Sequence, residues 1–303
     1  MKKWIIAAGG ILLLLPAGLV YLWIPSNVRL SYHVKIACNA RGALRVVADS
    51  AKWNNWVPEE GPDISYHLQG QNNYILNVLI QGRRDSFMSR LVLVPMASPD
   101  STDCYWEFDM PTAGGPVRRV QRYLFARSAA RDMGTVLGFM RGFLGKKENV
   151  YGLNIQPAST KDSFLVAVRG IFPGRPTLGD TYGLIGEMRA YIGREGVHET
   201  GYPMLNITKL ADGREQMEVA IPVDRQLKDG SVFYSRKLVP GNYLLAEVKG
   251  GARAIDSAMT QLQNYVNDYQ KTVMAIPFQS LVTDRSKEPD ESRWVTRIYY
   301  PVY

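Results

Sequence analysis

Cysteine and histidine are scarce in this chain, and their scarcity excludes several kinds of chemistry. Only Cys38 and Cys104 are present, 66 residues apart. A structural zinc site needs about four nitrogen or sulfur ligands in close pairs, so no such site is predicted. A disulfide and a pair of buried free thiols both remain open for these two cysteines. The histidines His33, His67 and His198 are scattered, and no Gly-x-Ser-x-Gly elbow accompanies them. Gly142-Phe143-Leu144-Gly145-Lys146-Lys147 has the outline of a phosphate loop. However, Met140 stands where its first glycine belongs, and Lys147 replaces the hydroxyl residue that would hold magnesium. Nucleotide hydrolysis is excluded, and no metal, cofactor or catalytic residue is predicted.

Acidic residues are almost missing from one stretch. Between Val117 and Lys147, Arg118, Arg119, Arg122, Arg127, Arg131, Arg141, Lys146 and Lys147 are opposed only by Asp132. The whole chain carries a formal net charge of +8. A solvated helix face accounts for such a run, with contact to an anionic leaflet as the sharper alternative. No helix-turn-helix, zinc-finger or RNA-binding signature is present, so nucleic acid is not an expected partner.

Charge is absent altogether from Trp4 to Pro25. That apolar run, at about 1.5 Å rise per residue, reaches across a hydrocarbon core of about 30 Å. Tyr21 and Trp23 lie near its far end, where aromatic rings prefer the interface, and Lys2 and Lys3 favour a cytoplasmic start. No small-x-small cleavage site precedes Ile24-Pro25-Ser26, and no cysteine follows for lipid attachment. Residues 1–26 therefore read as an uncleaved signal-anchor. The expectation is a single-pass protein of the inner (cytoplasmic) membrane with the bulk of the chain extracytoplasmic, in the periplasm.

The 303 residues, 46% hydrophobic and 21% charged, suit two globular domains. The fold class expected is α+β. Residues 27–149 read as strands closed by a helix: Ser31–Ile36 alternates with period two, and Tyr74–Ile80, Phe87–Val94 and Cys104–Met110 follow as strands. Met133, Val136, Met140 and Phe143 then recur at helical spacing. Residues 150–303 contain a tandem repeat. Phe164-Leu165-Val166-Ala167 and Tyr243-Leu244-Leu245-Ala246 stand 79 residues apart, as do Pro222-Val223 and Pro301-Val302. Each copy holds an amphipathic helix between these markers (Tyr182, Ile185, Met188, Ile192; then Ile255, Met259, Leu262, Val266). A Pro-led strand follows each helix, Pro203-Met204-Leu205 and Pro277-Phe278-Gln279. The pattern is strand–helix–strand–strand, twice, with pseudo-twofold symmetry and a groove between the copies.

These motifs carry a resemblance. Met217-Glu218-Val219-Ala220-Ile221-Pro222-Val223, Leu238-Val239-Pro240-Gly241-Asn242-Tyr243 with Lys249-Gly250, and Arg297-Ile298-Tyr299-Tyr300-Pro301-Val302 make the second half similar to the gyrase-inhibitor-like small-molecule-binding domain, which also serves as an effector-binding domain. In the first half, an early strand, Ala48-Asp49-Ser50-Ala51-Lys52-Trp53-Asn54-Asn55-Trp56-Val57-Pro58 and a long closing helix resemble the polyketide-cyclase/START-like (SRPBCC) fold. That helix-grip fold implies a cavity for lipids or other apolar ligands. Trp53 and Trp56 read as packing beneath a loop.

The first resemblance implies a deep acidic residue that meets cationic ligands, and some members use it to hydrolyse reactive small molecules. Gln279 occupies that position here, and Leu281 stands where a tyrosine is common. An amide orients a ligand but neither neutralises a cation nor acts as a base. Glu218 and Glu247 are the possible substitutes, and Tyr182, Trp294 and Tyr299 the candidate aromatic lining. The expected function is small-molecule or lipid binding without catalysis, the partner being a small apolar or aromatic ligand. A hydrolase using the same groove and an envelope protein-interaction module are the alternatives.

Overall fold

The computed structural model describes residues 18, 20–58, 64–160, 163–238, 240–273 and 275–303. Most of the apolar run read as a membrane anchor lies outside these residues. Among the described residues, no helix is long and apolar enough to cross a membrane. The chain divides into two compact units, Met1–Val150 and Tyr151–Tyr303.

In the first unit, β1 (Asn27–Ile36) leads through α1 (Ala40–Val47) and a 3-10 turn, Ser50–Asn55, into a run of strands. These are β2 (Ser65–Asn72), β3 (Ile75–Gln81), β4 (Ser86–Pro95) and β5 (Thr102–Pro111), and α2 (Pro116–Leu144) follows. The sheet is antiparallel in the order β1-β5-β4-β3-β2. Strict alternation in β5 buries Cys104, Trp106, Phe108 and Met110 on the core face. Helix α2 adds Met133, Val136, Leu137, Met140 and Leu144. Phe143 is only half-buried, and Leu137 and Leu144 take the places that a strict reading of the spacing would give it.

The basic run is less free than the sequence suggests, because acids arrive from other elements. Asp85 pairs with Arg122 at 3.2 Å and Arg118 at 3.8 Å, and Asp100 with Lys147 at 3.9 Å. Trp53 donates its ring N–H to the Val47 carbonyl at 2.7 Å and packs 5.1 Å from Trp56, a packing role for both rings. Cys38 and Cys104 are both buried and neither is in a disulfide, which decides between the two readings the sequence left open.

A one-turn helix, α3 (Lys147–Tyr151), stands at the boundary of the units. The first copy of the repeat is β6 (Ile155–Thr160), β7 (Ser163–Phe172), α4 (Leu178–Arg194), β8 (Met204–Lys209) and β9 (Glu215–Val223). The second is β10 (Tyr234–Leu238), β11 (Gly241–Lys249), α5 (Ala252–Asp268), β12 (Phe278–Leu281) and β13 (Val295–Pro301). They form one antiparallel sheet, β10-β7-β9-β8-β12-β13-β11-β6. The two copies meet at β8–β12, where only Leu205↔Gln279 and Met204↔Ser280 pair. Each copy also lends its first strand to the other: β6 pairs with β11, and β10 with β7.

The repeat is real, but its offset is not uniform. Helix-facing Val166 and Val168 correspond to Leu244 and Ala246, an offset of 78 rather than 79. Val219 and Ile298 keep the offset of 79. The helices and the strands at the seam match at 74, Met188 with Leu262 and Leu205 with Gln279. A slip of one residue turns a strand's side chains to the opposite face, so burial rather than letter similarity fixes the match. The same test moves Tyr182 off the buried stripe of α4. Thr181, with Ile185, Met188 and Ile192, faces the core instead.

Candidate functional site

Sheet register explains where the polar interior of the second unit lies. Val168, Val219, Leu205, Gln279, Ile298, Ala246 and Ile155 pair in succession across seven strands. Period-two alternation puts this row on one face, the face packed by the helices. Six of its members are apolar and buried. Gln279 is the polar exception, at the seam, and its symmetry mate is Leu205.

Above that exception is a cavity of about 190 Å³. Pro176, Thr177, Leu178 and Thr181 line it from the start of α4, and Ala252 and Ile255 from the start of α5. Leu205, Ile207 and Gln279 form its floor, and Arg175, Arg285, Glu291 and Trp294 complete the wall from connecting segments. Among the described residues, the Gln279 amide has no hydrogen-bond partner. It is half-buried and borders the cavity, so its donor and acceptor are available to whatever enters.

The helix starts differ in a way that matters. Thr177 caps α4 in a reciprocal box: its hydroxyl accepts from the Asp180 N–H at 3.1 Å, and Asp180 accepts from the Thr177 N–H at 2.8 Å. The Thr177 hydroxyl also donates to the Asp180 carboxylate at 2.7 Å, and this bond, with that from the Thr177 N–H, holds the carboxyl below its usual pKa. The matching positions of α5 are Gly251 and Ala254, and no side chain caps that helix. The Glu291 carboxylate lies there instead, with Oε2 2.0 Å from where a Gly251 Cβ would be. A negative charge is favoured at a helix N-terminus.

The candidate residues are not all in one place. Gln279 and Trp294 lie in the cavity wall. Trp294 donates its ring N–H to the Glu288 carbonyl at 2.7 Å. Tyr182 stands behind that wall, where its hydroxyl accepts from the Arg285 backbone N–H at 2.7 Å and donates to the Thr283 carbonyl at 3.3 Å. Burial raises the Tyr182 pKa. Glu218, Glu247 and Tyr299 lie on the other face of the sheet, away from the cavity. Glu218 meets Arg169 at 3.0 Å, and Glu247 meets Arg297 at 3.1 Å. Tyr299 stacks on Phe278 with centroids 4.9 Å apart. The parity of strands β9, β11 and β13 places these three there, because their neighbours Val219, Ala246 and Ile298 face the helices. Glu291 and Arg285 have no counterpart in the sequence reading, since they sit in irregular segments without periodicity.

No family model matches the sequence, and no curated protein matches it. Solved structures do. The C-terminal domain of EcmrR shares 16% identity over 50% of this chain and 98% of its own, with a TM-score of 0.44. EcmrR in a DNA complex shares 18% over 61% of this chain and 71% of its own, at 0.46. SAV2435, solved bound to tetraphenylphosphonium, shares 18% over 50% of this chain and 94% of its own, at 0.34. At these identities and scores, the likeness assigns neither ligand nor activity to this chain.

Proposed function

We propose that the second unit is a small-molecule-binding module whose ligand sits at the seam of its two halves, over Gln279. The observation that carries this is the transverse row: one unpaired amide interrupts an otherwise apolar, helix-covered face, directly beneath a cavity. Apolar walls with a few convergent polar groups are the usual composition of a ligand site. The resemblance of the second half to the gyrase-inhibitor-like domain supports the same reading. At about 190 Å³ the cavity is below the ~300–1,000 Å³ of drug-sized sites, so the ligand is small, of the order of one ring.

Binding without catalysis is the form we favour. Glu218 and Glu247 are committed to arginines on the far face, and the seam position holds an amide that cannot serve as a base. Native mass spectrometry of the full-length protein, gently purified, tests the proposal. A co-purifying small molecule that is absent from the Gln279→Leu variant is the expected result. A molecule retained equally by both proteins would place the site elsewhere.

For the first unit we propose an apolar ligand, as its START-like resemblance implies. A depression of about 770 Å³ lies between the end of β1 and the last turns of α2, with Ile36, Ala37 and Gly138 as its apolar part and Lys35, Asp100 and Arg141 at its polar edge. The signal-anchor at residues 1–26, with the rest of the chain outside the cytoplasm, belongs to the same proposal. Fractionation followed by protease protection tests it, and a soluble, cleaved or cytoplasm-facing product would overturn it.

A further inference from the structure

The charged groups of the seam cavity are not equally satisfied. Arg175 makes a two-pronged pair with Asp256, at 2.7 and 2.9 Å. Glu291 lies at the otherwise uncapped start of α5, where the helix dipole favours its charge. Arg285 has no such counterpart. One of its terminal nitrogens donates to the Thr296 hydroxyl at 2.6 Å, and its guanidinium lies over the Trp294 ring at 5.0 Å, both neutral partners. Its Nε is buried with no hydrogen-bond partner among the described residues. Glu291 acts on it through space but makes no ion pair with it, and burial lowers its pKa from the ordinary value.

An arginine stays charged in a protein, and Arg285 is a half-buried charge whose direct partners are neutral, so its charge is incompletely compensated. Such a group in a cavity wall calls for an anion. Nε is shut off from the cavity, so it is the terminal nitrogens of this planar guanidinium, held by a ring and a hydroxyl, that form the end-on fork suited to a carboxylate. Pro176, Leu178, Leu205, Ile207 and Ile255 give the wall its apolar part, and Thr177, Thr181 and the Glu291 carboxylate held at the start of α5 give its polar rim. Gln279 offers one further donor and acceptor on the floor.

We infer that the cavity takes a small organic anion, a planar ring bearing a carboxylate, with Arg285 binding the anion and the apolar wall holding the ring. This deepens the small-molecule reading above and rests on it. It also inverts the charge preference that the gyrase-inhibitor-like resemblance implies. Loss of the acid at Gln279 removes the cation's partner, and Arg285 supplies the opposite one.

Benzoate and benzamidinium test the sign directly, since they share size and planarity but carry opposite charge. Each is titrated calorimetrically against the full-length protein and against Arg285→Met, which keeps a long apolar side chain. Saturable benzoate binding, at least tenfold tighter than benzamidinium and lost at least tenfold in Arg285→Met, is expected. Raised salt should weaken benzoate further in the parent protein but not in the variant. If benzamidinium binds more tightly, and Glu291→Gln abolishes it, the groove still binds small molecules but the anion assignment is overturned. If neither ion binds up to millimolar concentration, both the anion assignment and the seam site fail. If Arg285→Met unfolds, Arg285→Lys provides the test: it keeps the charge but not the fork, so benzoate should weaken without reversal of the preference. Unchanged benzoate affinity in Arg285→Lys would refute the bidentate contact.

Discussion

Replacing Gln279 by leucine would make the row from Val168 to Ile155 apolar throughout, matching the Leu205 that already occupies the symmetry-related place. The expected result is higher stability in denaturant, by about 1–2 kcal/mol, with ligand binding weakened tenfold or more. Unchanged binding would remove the amide from the site. Buried Cys104 gives a second residue-scale prediction. Burial pushes its thiol from 9.0 to about 12. The unfolded chain therefore loses this proton first, so its contribution to stability is intact below pH 9 and is lost as pH rises from 9 to about 12. The slope is up to about 1.4 kcal/mol per pH unit. Urea midpoints across that range should fall in the parent and fall less in Cys104→Ala, measured against each protein's own value at pH 7. The resemblance singled out Gln279, and residue type singled out Trp294. Neither could place Glu218, Glu247 and Tyr299, because the face a strand residue occupies is set by register with its neighbours.

Elements were legible where their periodicity was strong. The apolar stripes at Ile185, Met188 and Ile192, and at Ile255, Leu262 and Val266, match buried faces of α4 and α5, whereas Met259 is only half-buried and Ala258 is buried beside it. The capping box of Thr177 and Asp180 at the start of α4 is a finding of the structure that the periodicity did not announce. Thr177→Ala should destabilise the protein by about 1 kcal/mol in equilibrium urea unfolding. Gly251→Ala at the matching start of α5 tests a different contact. A Cβ there would come within 2.0 Å of Glu291, so the carboxylate must move, and the flexible side chain permits it. The expected outcome is a folded protein with altered ligand affinity; an unfolded one would show that Glu291 cannot yield. The segment carrying Arg285 and Glu291 was not legible, because a 3-10 turn of three residues, Glu291–Arg293, leaves no periodic trace.

At the scale of the molecule, letter similarity revealed a tandem repeat but not the exchange of strands that joins its copies. β6 precedes β7 in sequence yet completes the sheet beside β11, and β10 likewise completes it beside β7. Such pairings depend on edges far apart in the chain, which local patterning does not encode. The cavity itself is lined from both copies, by Leu205 and Ile207 from the first and by Ile255 and Gln279 from the second, so the site exists only when both are present. The most direct test of that claim is methyl NMR of the full-length protein during titration with benzoate, with Ile207 and Ile255 as reporters from opposite copies. Saturable shifts at both isoleucines, absent in Gln279→Leu, are the predicted result. Shifts confined to one copy, or spread over residues away from the seam, would contradict a ligand held between the two.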